Sequence, residues 1–160
     1  MYTFWKTAHV LSAAIIFGTG LGIAFFTWFG YRASVRAGDI GALRVVLRYT
    51  VIADACFTAP AVVFQMVSGL VLVDILGWST QSPWIRTVWA LFMFGGACWF
   101  PVLYIQVRLK REAQGVAAVA ALPPWFHRWF LWWAWLGLGA FSAAIVLYWL
   151  MVAKPLPVTG

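Results

Sequence analysis

The chain has 160 residues, of which 64% are hydrophobic and only 9% charged, with a formal net charge of +7 and a mean hydropathy of +0.90. A soluble domain carries about 25% charged residues, and a fold this small cannot cover its surface with so few polar side chains, so a soluble enzyme is excluded. The positive charge has to be read against a membrane before nucleic acid is considered.

A helix of about 20 apolar residues crosses the hydrocarbon core, and four stretches exceed that length: residues 4–30, 51–76, 84–107 and 125–152. None shows the apolar/polar alternation of a barrel strand, so helices are the way to satisfy the backbone in lipid. The expected fold is an all-α integral membrane four-helix bundle, a single membrane domain over residues 1–160.

The first span opens with Trp5, Lys6 and His9. Its apolar run is far longer than the roughly 7–15 residues of a signal peptide, so it reads as a retained helix. His9 shares a face with Ser12, Ala13, Ile16 and Gly20, which turns it into the bundle. Gly18 and Gly22 form a G-x-x-x-G spacing that permits close helix approach. The stretch to the second span carries Arg32, Arg36, Arg44 and Arg48 against the single acid Asp39.

Along the second span Asp54, Thr58, Ala61, Gln65, Ser68 and Leu72 fall on one helical stripe, which must face other helices or a wet cavity rather than lipid. Pro60 is expected to kink this helix and free a carbonyl. The third span starts at Trp84 and Arg86, contains Cys98 and Gln106, and is followed by Arg108, Lys110, Arg111 and Glu112. An alanine-rich run from Ala113 to Leu122, closed by Pro123 and Pro124, predicts a short interfacial helix or loop. The fourth span begins with His127 and Arg128. The last residues, from Lys154 to Pro157, read as a mobile tail.

Eight of the eleven basic residues fall at one end: Arg32, Arg36, Arg44, Arg48, Arg108, Lys110, Arg111 and Arg128, against Lys6, Arg86 and Lys154 at the other. The positive-inside rule makes the basic end cytoplasmic and puts both termini outside, in the periplasm of a bacterial inner membrane. The charge is thereby explained by orientation and contact with the lipid bilayer, with no nucleic acid partner.

Ionisable and polar groups inside the bilayer are the functional pointers, and they are few: His9, Asp54, Gln65, Asp74, Gln106 and His127, with Arg48, Arg86 and Arg128 at the edges. Asp54 is expected to pair with Arg128 or Arg48. The two histidines lie at opposite ends of the bundle, so they cannot share one haem iron, and two bis-histidine haems would need four histidines. The residues support a single five-coordinate site at His9, or His9 with Met66 as a second ligand. Neither Cys56 nor Cys98 belongs to a C-x-x-C motif, and both face a reducing compartment.

The run Trp5 to Ser12, the segment Phe17 to Gly22, Asp54 with Thr58, Ala59 and Pro60, then Ser68 to Leu70, Pro83-Trp84, Gly96 to Val102, Gln106 with Arg108, and Trp149 to Pro155 together resemble a bacterial family of predicted integral membrane proteins, domain of unknown function 2269. More distantly, the Lys6-x-x-His9 element resembles the first helix of HemJ-type protoporphyrinogen oxidases and of the CopD membrane domain. In HemJ proteins that histidine is implicated in haem binding. A lysine important to HemJ proteins, four residues after a tryptophan early in the third helix, corresponds here to Val88. The nearest base is Arg86, and arginine cannot replace a lysine that must lose its proton.

The resemblance implies haem b or a related tetrapyrrole in the outer half of the bundle, serving electron transfer or porphyrin redox chemistry. His9 would be the ligand to the haem iron, Arg86 a propionate partner, and Gln65, Ser68 and Trp84 would line the cavity. Two other readings are a transport or metal-handling path along the stripe of the second span, and an accessory subunit of a larger membrane complex or homo-oligomer docked through tryptophan and small-residue faces. Whether the protein is an enzyme is left open by the residues.

Overall fold

The computed structural model describes residues 1–153. Among the described residues there are four long helices: α1 (Tyr2–Ala37), α2 (Ile40–Ile75), α3 (Pro83–Gly115) and α4 (Pro124–Val152). Each is long and apolar enough to cross a membrane, and no strand occurs among the described residues. The expected all-α four-span architecture is observed. Lys154 to Pro157 lie outside the described residues.

The stretch between the first two spans is helical rather than a loop. α1 runs past Gly30 to Ala37 and α2 begins at Ile40, because nothing in the arginine-rich segment breaks a helix until Gly38. Gly38 is left-handed (φ 67°), a conformation cheap only without a Cβ, and the N–H of Asp39 bonds the Ser34 carbonyl to close α1. Asp39 then caps α2, its carboxylate accepting from the N–H of Ala42 at 2.9 Å. The far end of α2 closes in the same way at Gly77 (φ 62°), with the N–H of Trp78 on the Val73 carbonyl. Ser82 caps α3, followed by Pro83, whose missing N–H costs nothing in a first turn. In the alanine-rich connection, Val119–Ala121 form one 3-10 turn.

Pro60 disrupts α2 in the form of a π-helical turn over Asp54–Thr58, with the N–H of Ala59 bonded to the Asp54 carbonyl. Proline lacks an N–H and crowds the carbonyl one turn before it; the wider turn absorbs that misfit. The π turn also divides the packing. Before it, α2 packs against α1 and α3; beyond it, α2 packs against α1, while α3 and α4 pair along their length.

The apolar core lies at the basic end, where Leu43, Leu47, Leu109, Phe126 and Phe130 are almost fully buried and Tyr31 stacks on Phe130. Gly30 permits the tight crossing of α1 and α2 there, since a Cβ on it would stand 2.7 Å from Cγ2 of Val46. Gly18 and Gly22, expected at a close approach, have nothing within 4 Å of where a Cβ would be. Many other large apolar side chains, such as Phe100 and Trp135 at 67% and 66% exposure, face outward, as lipid-facing residues should.

Arg44 joins the two halves of the basic end. Its Nε donates to the Ala113 carbonyl at 2.9 Å and its Nη2 to the Val116 carbonyl at 2.7 Å, so a cation covers carbonyls that the end of α3 leaves open. Arg44→Met should therefore destabilise the fold by about 1–2 kcal/mol. Arg44→Lys, which cannot present two donors in a plane, should recover part of this in an SDS unfolding titration.

Candidate functional site

The half of the bundle that holds the start of α1 is joined by polar and small residues. His9 on α1 meets Gln65 and Ser68 on α2, its Nδ1 lying 2.7 Å from Ser68 Oγ and its Nε2 2.9 Å from Gln65 Nε2. The helical spacing of Gln65 and Ser68, three apart, brings both to the α1 side. Gly69 makes room for the ring: a Cβ there would stand 3.3 Å from His9 Cε1. Ser12 donates its hydroxyl proton to Gln65 Oε1.

Ser68 is fully buried and its hydroxyl lies 2.7 Å from the Phe64 carbonyl one turn back, the usual sink for a helical serine proton. Towards His9 the Ser68 oxygen therefore accepts, and Nδ1 carries the imidazole proton. Nε2 then presents a lone pair, which accepts from the Gln65 amide N–H, while the Gln65 carbonyl oxygen takes the Ser12 proton. His9 is thus oriented with Nδ1 on Ser68 and Nε2 toward Gln65, the orientation in which a histidine ligates iron or zinc through Nε2.

The other residues expected around His9 are placed as follows. Met66 is exposed and lies about 100° around α2 from Gln65, away from the face that carries Gln65 and Ser68. Trp84 donates its indole N–H to the Leu150 carbonyl at 3.2 Å and stands edge-on to Trp78. Arg86 and Asp74 are exposed. His9, Gln65 and Ser68 are brought together; Arg86 and Met66 are not turned onto them.

The second polar cluster lies at the π turn. Asp54 is buried at 4% exposure, and its carboxylate accepts from Gln106 Nε2 at 2.8 Å and from Trp99 Nε1 at 3.4 Å. Gln106 Oε1 in turn accepts from Trp133 Nε1. The expected ion pair with Arg128 or Arg48 does not form: both arginines are exposed, and among the described residues the salt bridge is Arg108 to Glu112. Indole and amide donors replace the cation because α3 packs against the first half of α2 and brings Gln106 and Trp99 to the carboxylate, away from the basic surface. Asp54 and Gln106 were legible as polar groups in an apolar run; the tryptophans were not, because which deep indoles turn inward depends on the crossing of α3 and α4. Trp133 is 6% exposed, whereas its neighbour Trp132 is 62% exposed.

The stripe of α2 is sealed against neighbouring helices. Thr58 meets Thr19 at 3.1 Å, Gln65 and Ser68 meet Ser12 and His9, and Asp54 meets α3. Every polar group of the stripe is therefore engaged by a neighbouring helix, which weighs against a path for solute. His127 bonds the hydroxyl of Tyr31 through Nδ1, a contact with no sequence signal. Tyr31 is 22 residues beyond His9 on the same helix, about 33 Å along it, so the two histidines serve separate ends. Cys56 and Cys98 are free thiols.

No group of three or more His, Cys, Asp or Glu side chains that could hold a metal ion occurs among the described residues. A family model described as predicted integral membrane protein (DUF2269) matches residues 3–155. No curated protein and no solved structure matches the chain.

Proposed function

We propose, from the premise that the chain belongs to the DUF2269 family of predicted integral membrane proteins, that it binds haem b or a related tetrapyrrole through His9. The orientation read from its charge places both termini and this site on the outer side of a bacterial inner membrane. The reading rests on one observation above the others, the His9 imidazole held inside the bundle between Ser68 at Nδ1 and the Gln65 amide at Nε2. A tetrapyrrole iron can be held by a single protein histidine, which is what His9 would give.

When bound, the group would supply one-electron chemistry, for electron transfer or porphyrin redox reactions. The residues of the chain would do the rest. Ser68 keeps the imidazole in one tautomer and orientation, Gln65 yields Nε2 by rotating its amide away, and Gly69 leaves the ring space beside α2. Arg86, exposed at the same end of the bundle, would be the cation nearest to hand for the propionates. With Met66 turned from the site, His9 is the residue of the chain that would hold the iron.

Protein expressed with ample haem and purified in detergent should show a Soret band. His9→Ala should abolish it, and Ser68→Ala should weaken haem retention about tenfold, as loss of an orienting partner does at metal sites. Wild-type protein with no Soret band, or a band unchanged in a folded His9→Ala variant, would overturn the proposal.

A further inference from the structure

Away from the His9 site, α1 and α2 leave an open groove of about 270 Å³ on the lipid-facing side, bounded by Gly22, Phe26, Tyr49, Ile52, Ala53 and Phe57. Its origin is local. Gly22 has no side chain and nothing occupies the space within 4 Å of its missing Cβ, Ala53 opposite is small, and the π turn begins one residue later. The walls are apolar side chains that stay exposed, Phe57 at 58% and Tyr49 at 53%.

From Tyr49 to Phe57 the groove follows α2 for about 12 Å, close to the roughly 15 Å depth of one leaflet. It therefore has the length of the upper part of an acyl chain and lies in the leaflet of the basic end. Tyr49 stands at the groove mouth, where an amphipathic ring marks the interface. Arg48 precedes Ile52 by four residues, which puts it one turn nearer the basic end on the same side of α2. It is exposed, and among the described residues the salt bridge is made elsewhere, by Arg108 and Glu112. Arg36 of α1 is likewise exposed at this end, whereas Arg44 is engaged by the end of α3.

We propose that this groove is a binding site for an anionic phospholipid of the basic-side leaflet, with one acyl chain against Gly22 and Ala53 and the phosphate at Arg48. The charge at the mouth distinguishes it from an ordinary lipid contact. A zwitterionic lipid fills the groove equally well, but its phosphate is offset by its own choline, whereas the net negative headgroup of an anionic lipid gains from the Arg48 guanidinium, worth about fivefold in occupancy for one interfacial arginine.

The test uses the full chain in mixed micelles of equal phosphatidylglycerol and phosphatidylcholine, with retained lipid read by native mass spectrometry. Wild-type protein should retain phosphatidylglycerol in preference to phosphatidylcholine. Arg48→Gln should lower that preference about fivefold while keeping total lipid, and Gly22→Leu, which fills the groove, should lose both lipids without loss of fold. Equal retention of the two lipids by the wild type, an unchanged preference in Arg48→Gln, or lipid still bound in folded Gly22→Leu would overturn the site. A dimer that Gly22→Leu dissociates would assign the groove to a second copy instead and overturn it as well. None of these readings involves haem, so the outcome is independent of His9.

Discussion

Gly30→Leu is expected to leave most of the protein unfolded or trapped with α1 and α2 apart, and even Gly30→Ala should cost about 1–3 kcal/mol. The Cβ that either substitution adds would stand 2.7 Å from Cγ2 and 3.1 Å from Cγ1 of Val46. Val46 cannot step aside. It is buried at 7% exposure, and a valine in a helix has one strongly preferred rotamer. The contact lies two turns before the Gly38–Asp39 reversal, so separating the helices there would pull Leu43 and Leu47 from the core they share with Tyr31. The clash has a specific remedy. Gly30→Ala combined with Val46→Ala should recover most of the stability lost in Gly30→Ala, measured by SDS titration of the purified protein. Recovery no better than the sum of the single effects would show that the glycine acts through something other than this crossing.

That contact also illustrates what a single sequence discloses about such a protein. The four spans are legible because crossing a bilayer requires about 20 apolar residues, and no soluble fold competes for that pattern. Helix ends are less so. A hydropathy reading stops at the arginines after Gly30, although the helix ends at Gly38; glycine followed by an aspartate three residues before Ala42 is the signal that marks the reversal, and it is a matter of caps rather than hydropathy. Within the bundle, spacing along one helix is enough to place His9 inward and to align Gln65 with Ser68. Pairing between helices is not readable in this way. The G-x-x-x-G at Gly18 and Gly22 is a common spacing in membrane helices and borders open space here, while Gly30, with no partner glycine, is the residue that touches. Likewise, Asp54 finds Gln106 and the Trp99 indole rather than Arg48 or Arg128, because the rotation of α3 and α4 sets which tryptophans face inward.

The Asp54 network should respond in a graded way that separates its hydrogen bonds from its charge. Asp54→Leu removes the acceptor for Gln106 Nε2 and Trp99 Nε1 and leaves two donors buried. Each orphaned donor costs about 1–3 kcal/mol in soluble proteins, and hydrogen bonds inside bilayers lie nearer the lower value, so a loss of about 2 kcal/mol is expected. Asp54→Asn keeps an oxygen for Gln106, whose bond at 2.8 Å is the shorter, and sacrifices the longer one to Trp99 at 3.4 Å. It also removes a carboxyl group that has no cation beside it, whose burial as a charge is costly unless compensated. The asparagine variant should therefore be at least as stable as the wild type. Gln106→Leu alone should be worse than either, since it deprives both the carboxylate and Trp133 of a partner. Changing Asp54 and Gln106 together to leucine should recover part of that loss, because replacing both members of a buried pair by apolar groups leaves fewer polar atoms unsatisfied. Stabilities ranked in SDS or thermal unfolding decide the matter. If Asp54→Leu proves as stable as Asp54→Asn, the network does not hold α2 to α3, and the buried carboxyl group must be retained for another reason.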